Sequence, residues 1–217
     1  MIDELCINLY CLNQSNVTTH KPKKDNAMII HFTINANVFA SVAHFVGDTG
    51  NAIDNVHIMI QDNNSFIEAV NGHAFCQHAL DKVQSEDDAH YLITPTKDLI
   101  KACKAKNADM LEVLEDMSMR VVDTRGNTTY IHPAKATTCE AGHYPDTSVF
   151  IAKVDNPHPD FVGVTQISLP CSTFDLFKDA FGKGRIYKFT FTGETEPLKV
   201  TVQDTEFMVI VMPMSNR

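Results

Sequence analysis

From Met28 onward the apolar positions switch repeatedly between a period near two and a period near 3.6, the spacings of a strand and of a helix with one buried face. "MIIHFTI" reads as a strand, and Asn35 or Asn37 can cap the helix after it. Val38, Phe39, Val42, Phe45 and Val46 then make one apolar helical stripe, with Gly47 as its end. Three strand-like runs come next: "NVHIMIQ", "SFIEAV" and "HAFCQHAL". Turn signals at Asp62-Asn63-Asn64 and Asn71-Gly72 separate them.

That order, strand, helix and three strands, returns twice. In the second pass "HYLITP" is the strand, Pro95 ends it, and Thr96 can cap a helix carrying Leu99, Ile100 and Cys103. "MLEVLED", "SMRVVDT" and "TTYIHPA" follow, with Arg125-Gly126-Asn127 as a turn. In the third pass "VTQISLP" is the strand, and Ser172 or Thr173 caps a helix with Phe174, Phe177 and Phe181 on one side. "RIYKFTFTG", "PLKVTVQ" and "FMVIVMPM" complete it. Such self-similarity fits stacked copies of one supersecondary unit. A single ordinary α+β domain fits the pattern as well, and periodicity alone does not separate the two.

Composition narrows the function more than the fold. The 217 residues suffice for a large core, and the formal net charge of -9 argues against a generally basic nucleic-acid coat while leaving room for a local basic stripe. Six scattered cysteines without a Cys-x-x-Cys pair read as reduced thiols of a cytosolic protein. No apolar run approaches the roughly 18 residues of a membrane span, and no secretory leader stands at the start. Residues 1–27 lack a sustained period and end in Lys21, Lys23 and Lys24. They read as an arm that docks as one strand or stays mobile, with Met28 as a second candidate start.

Three strings resemble the bacterial-type sliding clamp that tethers replicative DNA polymerase. "EAVNGHAF" at 68–75 is similar to that family's Ala-Thr-Asp-Gly-His-Arg-Leu strand and turn. "GHYPD" at 142–146 resembles its Gly-x-Phe-Pro-Asp linker, and "VIVMPM" at 209–214 its Val-Val-Met-Pro-Met terminus. The likeness spans about residues 28–214. Departures are Val70-Asn71 for Thr-Asp, Ala74 for Arg, Thr147 for the Tyr after Pro-Asp, and the tail Ser215-Asn216-Arg217.

The resemblance implies a DNA clamp fold of the α+β class: repeated strand-helix-three-strand units, helices lining a ring and antiparallel sheets outside. The expected organisation is an arm at 1–27, a clamp domain of two units at 28–140, a linker at 141–163, and a half-domain at 164–217 that pairs with a neighbouring chain. A family chain has three domains of two units each and closes as a dimer. Three units per chain would instead complete a ring of that size as a tetramer, with trimer and dimer as the alternatives.

The implied partners are duplex DNA, held without sequence preference, and short peptides of polymerase and clamp loader. The lining needs Lys and Arg on ring-facing helices. Lys97, Lys101 and Lys104 share one stripe of the second helix, and Lys178, Lys183 and Arg185 add charge around the third. Asp175 and Asp179 soften that third helix, and without the resemblance the stripe reads as a solvated face. By the resemblance the peptide groove is Ile53, Val70, Gly72, His73, Phe75, Pro145, Phe150, Ile210, Met212, Pro213 and Met214. Val70, Phe75 and Ile210 read equally as core.

No catalytic residue, metal or cofactor is expected. Cys76 near His73 and His78 is the one arrangement that raises a nucleophile, and strand alternation makes them ordinary neighbours. No metal-ligand spacing or phosphate-binding glycine loop is present in the sequence. The rival reading is a clamp-like decoy that binds host replication proteins without encircling DNA. Either fits a bacterial cytosol or, for a phage protein, an infected one.

Overall fold

The computed structural model describes residues 29–61, 64–80, 89–155, 167–193 and 196–213. The expected arm, Met214 and the first part of "VTQISLP" lie outside the described residues.

The first unit is β1 (Ile30–Asn35), α1 (Ala36–Val42), β2 (Val56–Ile60), β3 (Phe66–Val70) and β4 (Ala74–Ala79). The second is β5 (Ala89–Ile93), α2 (Lys97–Cys103), β6 (Ala108–Leu114), β7 (Met119–Asp123) and β8 (Thr128–His132). After a short β9 (Thr137–Cys139) come α3 (Ser148–Asp155) and α4 (Cys171–Phe181), then β10 (Tyr187–Thr190), β11 (Leu198–Val202) and β12 (Met208–Val211).

Polar side chains start the first two helices. The Asn35 carboxamide oxygen accepts from the amides of Asn37 and Val38 at 3.0 and 3.3 Å, and Thr96 Oγ1 accepts from Leu99 at 3.2 Å. α4 departs from expectation: its N-cap is Pro170, with no side-chain cap, and Ser172 and Thr173 lie inside the helix. Residues 167–170, expected to end a strand, are irregular. α1 also ends earlier than its apolar stripe, at Val42, and a 3-10 turn carries Ala43–Phe45. Gly47 serves close packing: a Cβ there would lie 2.9 Å from the Ile53 side chain.

The units interlock. β1 pairs with β6 of the second unit in a four-stranded sheet, β1-β6-β7-β8, while β5 joins the strands of the first unit in an eight-stranded sheet, β10-β11-β12-β4-β3-β2-β5-β9. All the pairings are antiparallel. The third unit joins the first within the same chain, through β12 on β4, with Ile210 opposite Phe75 and Val209 opposite Cys76. α1 packs against β1, β6, β3 and β4, and α2 and α4 pack beside α1.

Strand alternation sets what each face carries. Val56, Ile58, Ile67, Cys76, Ile93, Leu198, Val200 and Val209 point inward to one core with Phe39, Phe45, Leu99 and Phe177. On the opposite face of the large sheet stand His57, Glu68, Val70, Phe75, Gln77 and Ile210, and α3 lies against this outer face.

Candidate peptide groove and nucleic-acid interface

The outer face holds a small apolar hollow at the seam between β4 and β12. Val70, Gly72, His73, Ala74, Phe75, Phe150, Ile210 and Met212 line a shallow hollow of about 60 Å³. Register explains the meeting of residues far apart in sequence: Val70 faces Phe75, Phe75 faces Ile210, and the Met212 amide donates to the His73 carbonyl at 2.8 Å. The turn before β4 is held by Asn71, whose side-chain oxygen accepts from the amides of His73 and Ala74 at 3.0 and 2.9 Å. Beneath the hollow Phe75, Val154 and Ile210 are buried together, with Phe150, Ile151, Val70 and Met208 packed around them.

Of the groove residues named from sequence, seven line this hollow: Val70, Gly72, His73, Phe75, Phe150, Ile210 and Met212. Pro213 is half-buried just beyond β12 and Met214 lies outside the described residues. Ile53 and Pro145 are elsewhere. Ile53 packs on Gly47, while Pro145 lines a neighbouring polar cavity with His57, Glu68, His90, Tyr144 and Thr147.

That polar cavity was not legible in the sequence. Its wall contains Glu68, 2% exposed, which accepts from His57 Nδ1 at 2.8 Å, from Thr147 Oγ1 at 2.8 Å and from Gln77 Nε2 at 3.3 Å. His57 Nε2 lies 3.0 Å from His90 Nδ1, and the Tyr144 ring stacks on His57 at 4.6 Å. Burial first, then the charge of Glu68, raises the Tyr144 phenol above its ordinary range. Only the "E" inside "SFIEAV" marked this place, and an alternating strand normally gives such a residue to water.

On the helix side Lys97, Lys101 and Lys104 are exposed while Leu99 and Cys103 are buried, so the basic stripe faces away from the core. An open, partly apolar surface runs between them and His44, along Ala43, Ile100 and Ala105. Lys104 is already engaged: it donates to the Asp179 carbonyl and to His44 Nε2, the latter at 2.7 Å, and so ties together α1's end, α2 and α4. Lys178 is exposed and paired with Asp175 at 2.8 Å. Lys183 and Arg185 are exposed after α4, and Arg185 Nε donates to the Phe181 carbonyl at 3.4 Å.

The Cys76 and histidine arrangement does not make a nucleophile. Cys76 is fully buried on the inner face, burial pushes its thiol well up, and His73 sits at an exposed turn. Among the described residues no group of three or more His, Cys, Asp or Glu is placed to hold a metal, and no helix is long and apolar enough to cross a membrane.

Interlocked strand-helix-three-strand units, with α1, α2 and α4 packed together on the inner side of antiparallel sheets, define the DNA clamp class of α+β folds. The chain has the fold of the bacterial DNA polymerase sliding clamps, in a divergent form. It is similar to the DNA polymerase sliding clamp from Pseudomonas aeruginosa with a TM-score of 0.55 and 12% identity, over 86% of this chain and 67% of that one. It is likewise similar to the DNA polymerase III beta chain from Streptococcus pneumoniae, with a TM-score of 0.56 and 13% identity, over 94% and 69%. The beta subunit from Borrelia burgdorferi, solved in complex with a natural product, gives a TM-score of 0.55 and 14% identity, over 88% and 64%. The chain thus spans about two thirds of the length of the clamps it matches. No family model matches the sequence, and no curated protein sequence is significantly similar to it.

Proposed function

We propose that this chain is a sliding clamp: copies of it close around duplex DNA and hold a replicative polymerase and other factors beside the template. The observation that carries this reading is the pairing of two surfaces on one fold. Helices with an exposed lysine stripe lie on one side, and a small apolar hollow lies at the β4–β12 seam on the other. Such a protein works by topology and effective concentration and has no catalytic step to perform.

In this reading Lys97 and Lys101 give the lining its free charge and Lys183 adds to it after α4, attracting phosphates without reading bases. Lys104, Lys178 and Arg185 contribute less, since each already has a protein partner. The hollow, extended by Pro213 and Met214, accepts apolar side chains of polymerase and loader peptides, a task to which methionines are suited. Ring closure uses four chains, with residues 28–140 as a clamp domain, 141–163 as linker and 164–217 as a half-domain whose open edge meets a neighbour. The setting is a bacterial cytosol, including that of a phage-infected cell.

The test is retention on DNA. The labelled chain is incubated with nicked circular plasmid, ATP and a bacterial replication extract, and the DNA is isolated before and after cutting with a restriction enzyme. A clamp stays on the circle and is released by linearisation, and Lys97→Ala with Lys101→Ala lowers retention severalfold. Equal retention on circular and linear DNA overturns the reading. Peptide binding with no retention on either form turns it into the decoy.

A further inference from the structure

Glu68 is a buried carboxylate that neither DNA contact nor the apolar hollow uses. Its three donors come from three different segments: His57 from β2, Gln77 from β4, and Thr147 from the stretch leading into α3. The first two belong to the sheet, so their bonds stay within it. The third crosses from the sheet to the linker.

Thr147 also starts α3, because its carbonyl accepts from the amides of Phe150 and Ile151 at 3.1 and 3.3 Å. The Thr147 side chain therefore sets where the first turn of α3 sits on the outer face. One residue of that turn, Phe150, is a wall of the hollow, and Val154 one turn later is buried on Phe75 and Ile210. Toward its far end α3 is held by two ion pairs to the third unit, Asp155 with Lys199 of β11 at 2.7 Å and Lys153 with Glu196 at 3.7 Å. α3 is thus a strap laid across the seam between β4 and β12. It is fixed to the first unit by Glu68 and to the third by Lys199 and Glu196, with apolar contacts between.

The fastenings are unequal, and the Lys153–Glu196 pair is long and exposed on both sides. The Lys199–Asp155 pair is half-exposed at the carboxylate, where water and salt weaken it. The Glu68–Thr147 bond joins groups 2% and 5% exposed, and hydrogen bonds to a charged acceptor in such surroundings are the stronger kind. Thr147 also stands where the clamp pattern has tyrosine, so this fastening belongs to this chain's own residues.

We infer that Glu68 is a positioning residue: through Thr147 it latches α3 onto the outer sheet face and thereby gives the peptide hollow its Phe150 wall. This rests on the hollow being a peptide site, and the experiment separates the two claims. Thr147→Val keeps the shape and removes the donor, Thr147→Ser restores it, and Glu68→Gln keeps an acceptor for Thr147. Binding of a short fluorescein-labelled peptide bearing leucine and phenylalanine is measured by anisotropy, with a serine-substituted peptide as control. Hydrogen exchange over residues 148–155 is followed in parallel on the full chain.

Thr147→Val is expected to bind the peptide about tenfold more weakly and to exchange faster in α3. Sheet strands β6 to β8 should stay protected, and Thr147→Ser should behave as the parent protein. Unchanged peptide affinity in Thr147→Val overturns the inference while the hollow stands as a peptide site. If the parent protein binds no peptide, the peptide reading fails by itself, and the latch is decided by exchange: faster exchange of α3 in Thr147→Val supports it, and unchanged exchange overturns it.

Discussion

Gly72 turns β3 into β4 with a φ of +85°, a backbone region that an L side chain enters only against its own Cβ. A Cβ at Gly72 would meet no atom within 4 Å, so substitution would act through the backbone alone. Gly72→Ala is expected to cost about 1–2 kcal/mol in urea unfolding, and Gly72→Asn distinctly less, because asparagine tolerates the left-handed region. Equal costs would mean that packing rather than backbone strain governs the turn. At this scale the apolar residues of the hollow were legible because they sit in short strings with recognisable neighbours, such as "NGHAF" and "VIVMPM". Ile53 and Pro145 were grouped with them by resemblance alone, and local geometry takes each elsewhere. Glu68 and Thr147 gave no sign of their bond, since a hydrogen bond across 79 positions leaves no trace in either local pattern.

Elements divide in a similar way. Helices α1 and α2 announced themselves through Asn35 and Thr96, because side-chain caps are local chemistry. α3 lies in the stretch expected as linker; its Val149, Phe150 and Ile151 are consecutive and give no clean helical stripe, and only the seam beneath it makes the helix worthwhile.

α4 depends on tertiary contacts in the same way. Phe177 is 1% exposed against Phe45 and Tyr187, with ring centroids 6.5 and 5.2 Å away, and Ser41 Oγ donates to the Ala180 carbonyl at 2.9 Å. Phe177→Ala is expected to cost about 3–5 kcal/mol. Hydrogen exchange should show α4 and β10 opening before β6 to β8, and uniform loss of protection would contradict that order. The same junction contains His44, whose pKa is lowered first by burial and then by Lys104, against an opposing pull from Asp179. A lowered histidine resists protonation in the folded state only. Stability tied to neutral His44 is therefore complete above the ordinary value of about 6.5 and is lost as pH falls through the lowered one. The urea midpoint should thus fall with acid below neutrality, and His44→Gln should reduce that slope. An unchanged slope would remove His44 from the account.

The whole molecule presents unpaired edges. Among the described residues the large sheet has edges at β10 and β9 and the small one at β8 and β1; Ile186 beside β10 and Ile131 on β8 are 64% and 70% exposed. β10 matches β6 in its unit, yet β6 has β1 on its other side while β10 has no described strand there. Apolar groups at open edges favour association. Light scattering at micromolar concentration is expected to give about four times the 24.2 kDa chain mass, and Ile186→Lys or Ile131→Lys to give smaller particles. A stable monomer of the parent protein would end the ring proposal.

By itself the sequence determined the number, kind and order of most elements, and which face of each strand is apolar. Those properties depend on neighbours a few residues away, where side-chain period and caps act directly. Tertiary structure alone decided that the third unit docks through β12 on its own chain's β4, that a helix straps this seam, and that a glutamate lies buried beneath it. Each of those depends on surfaces brought together from distant positions, where the free energy of burial and pairing is set by what lies opposite rather than by what lies adjacent.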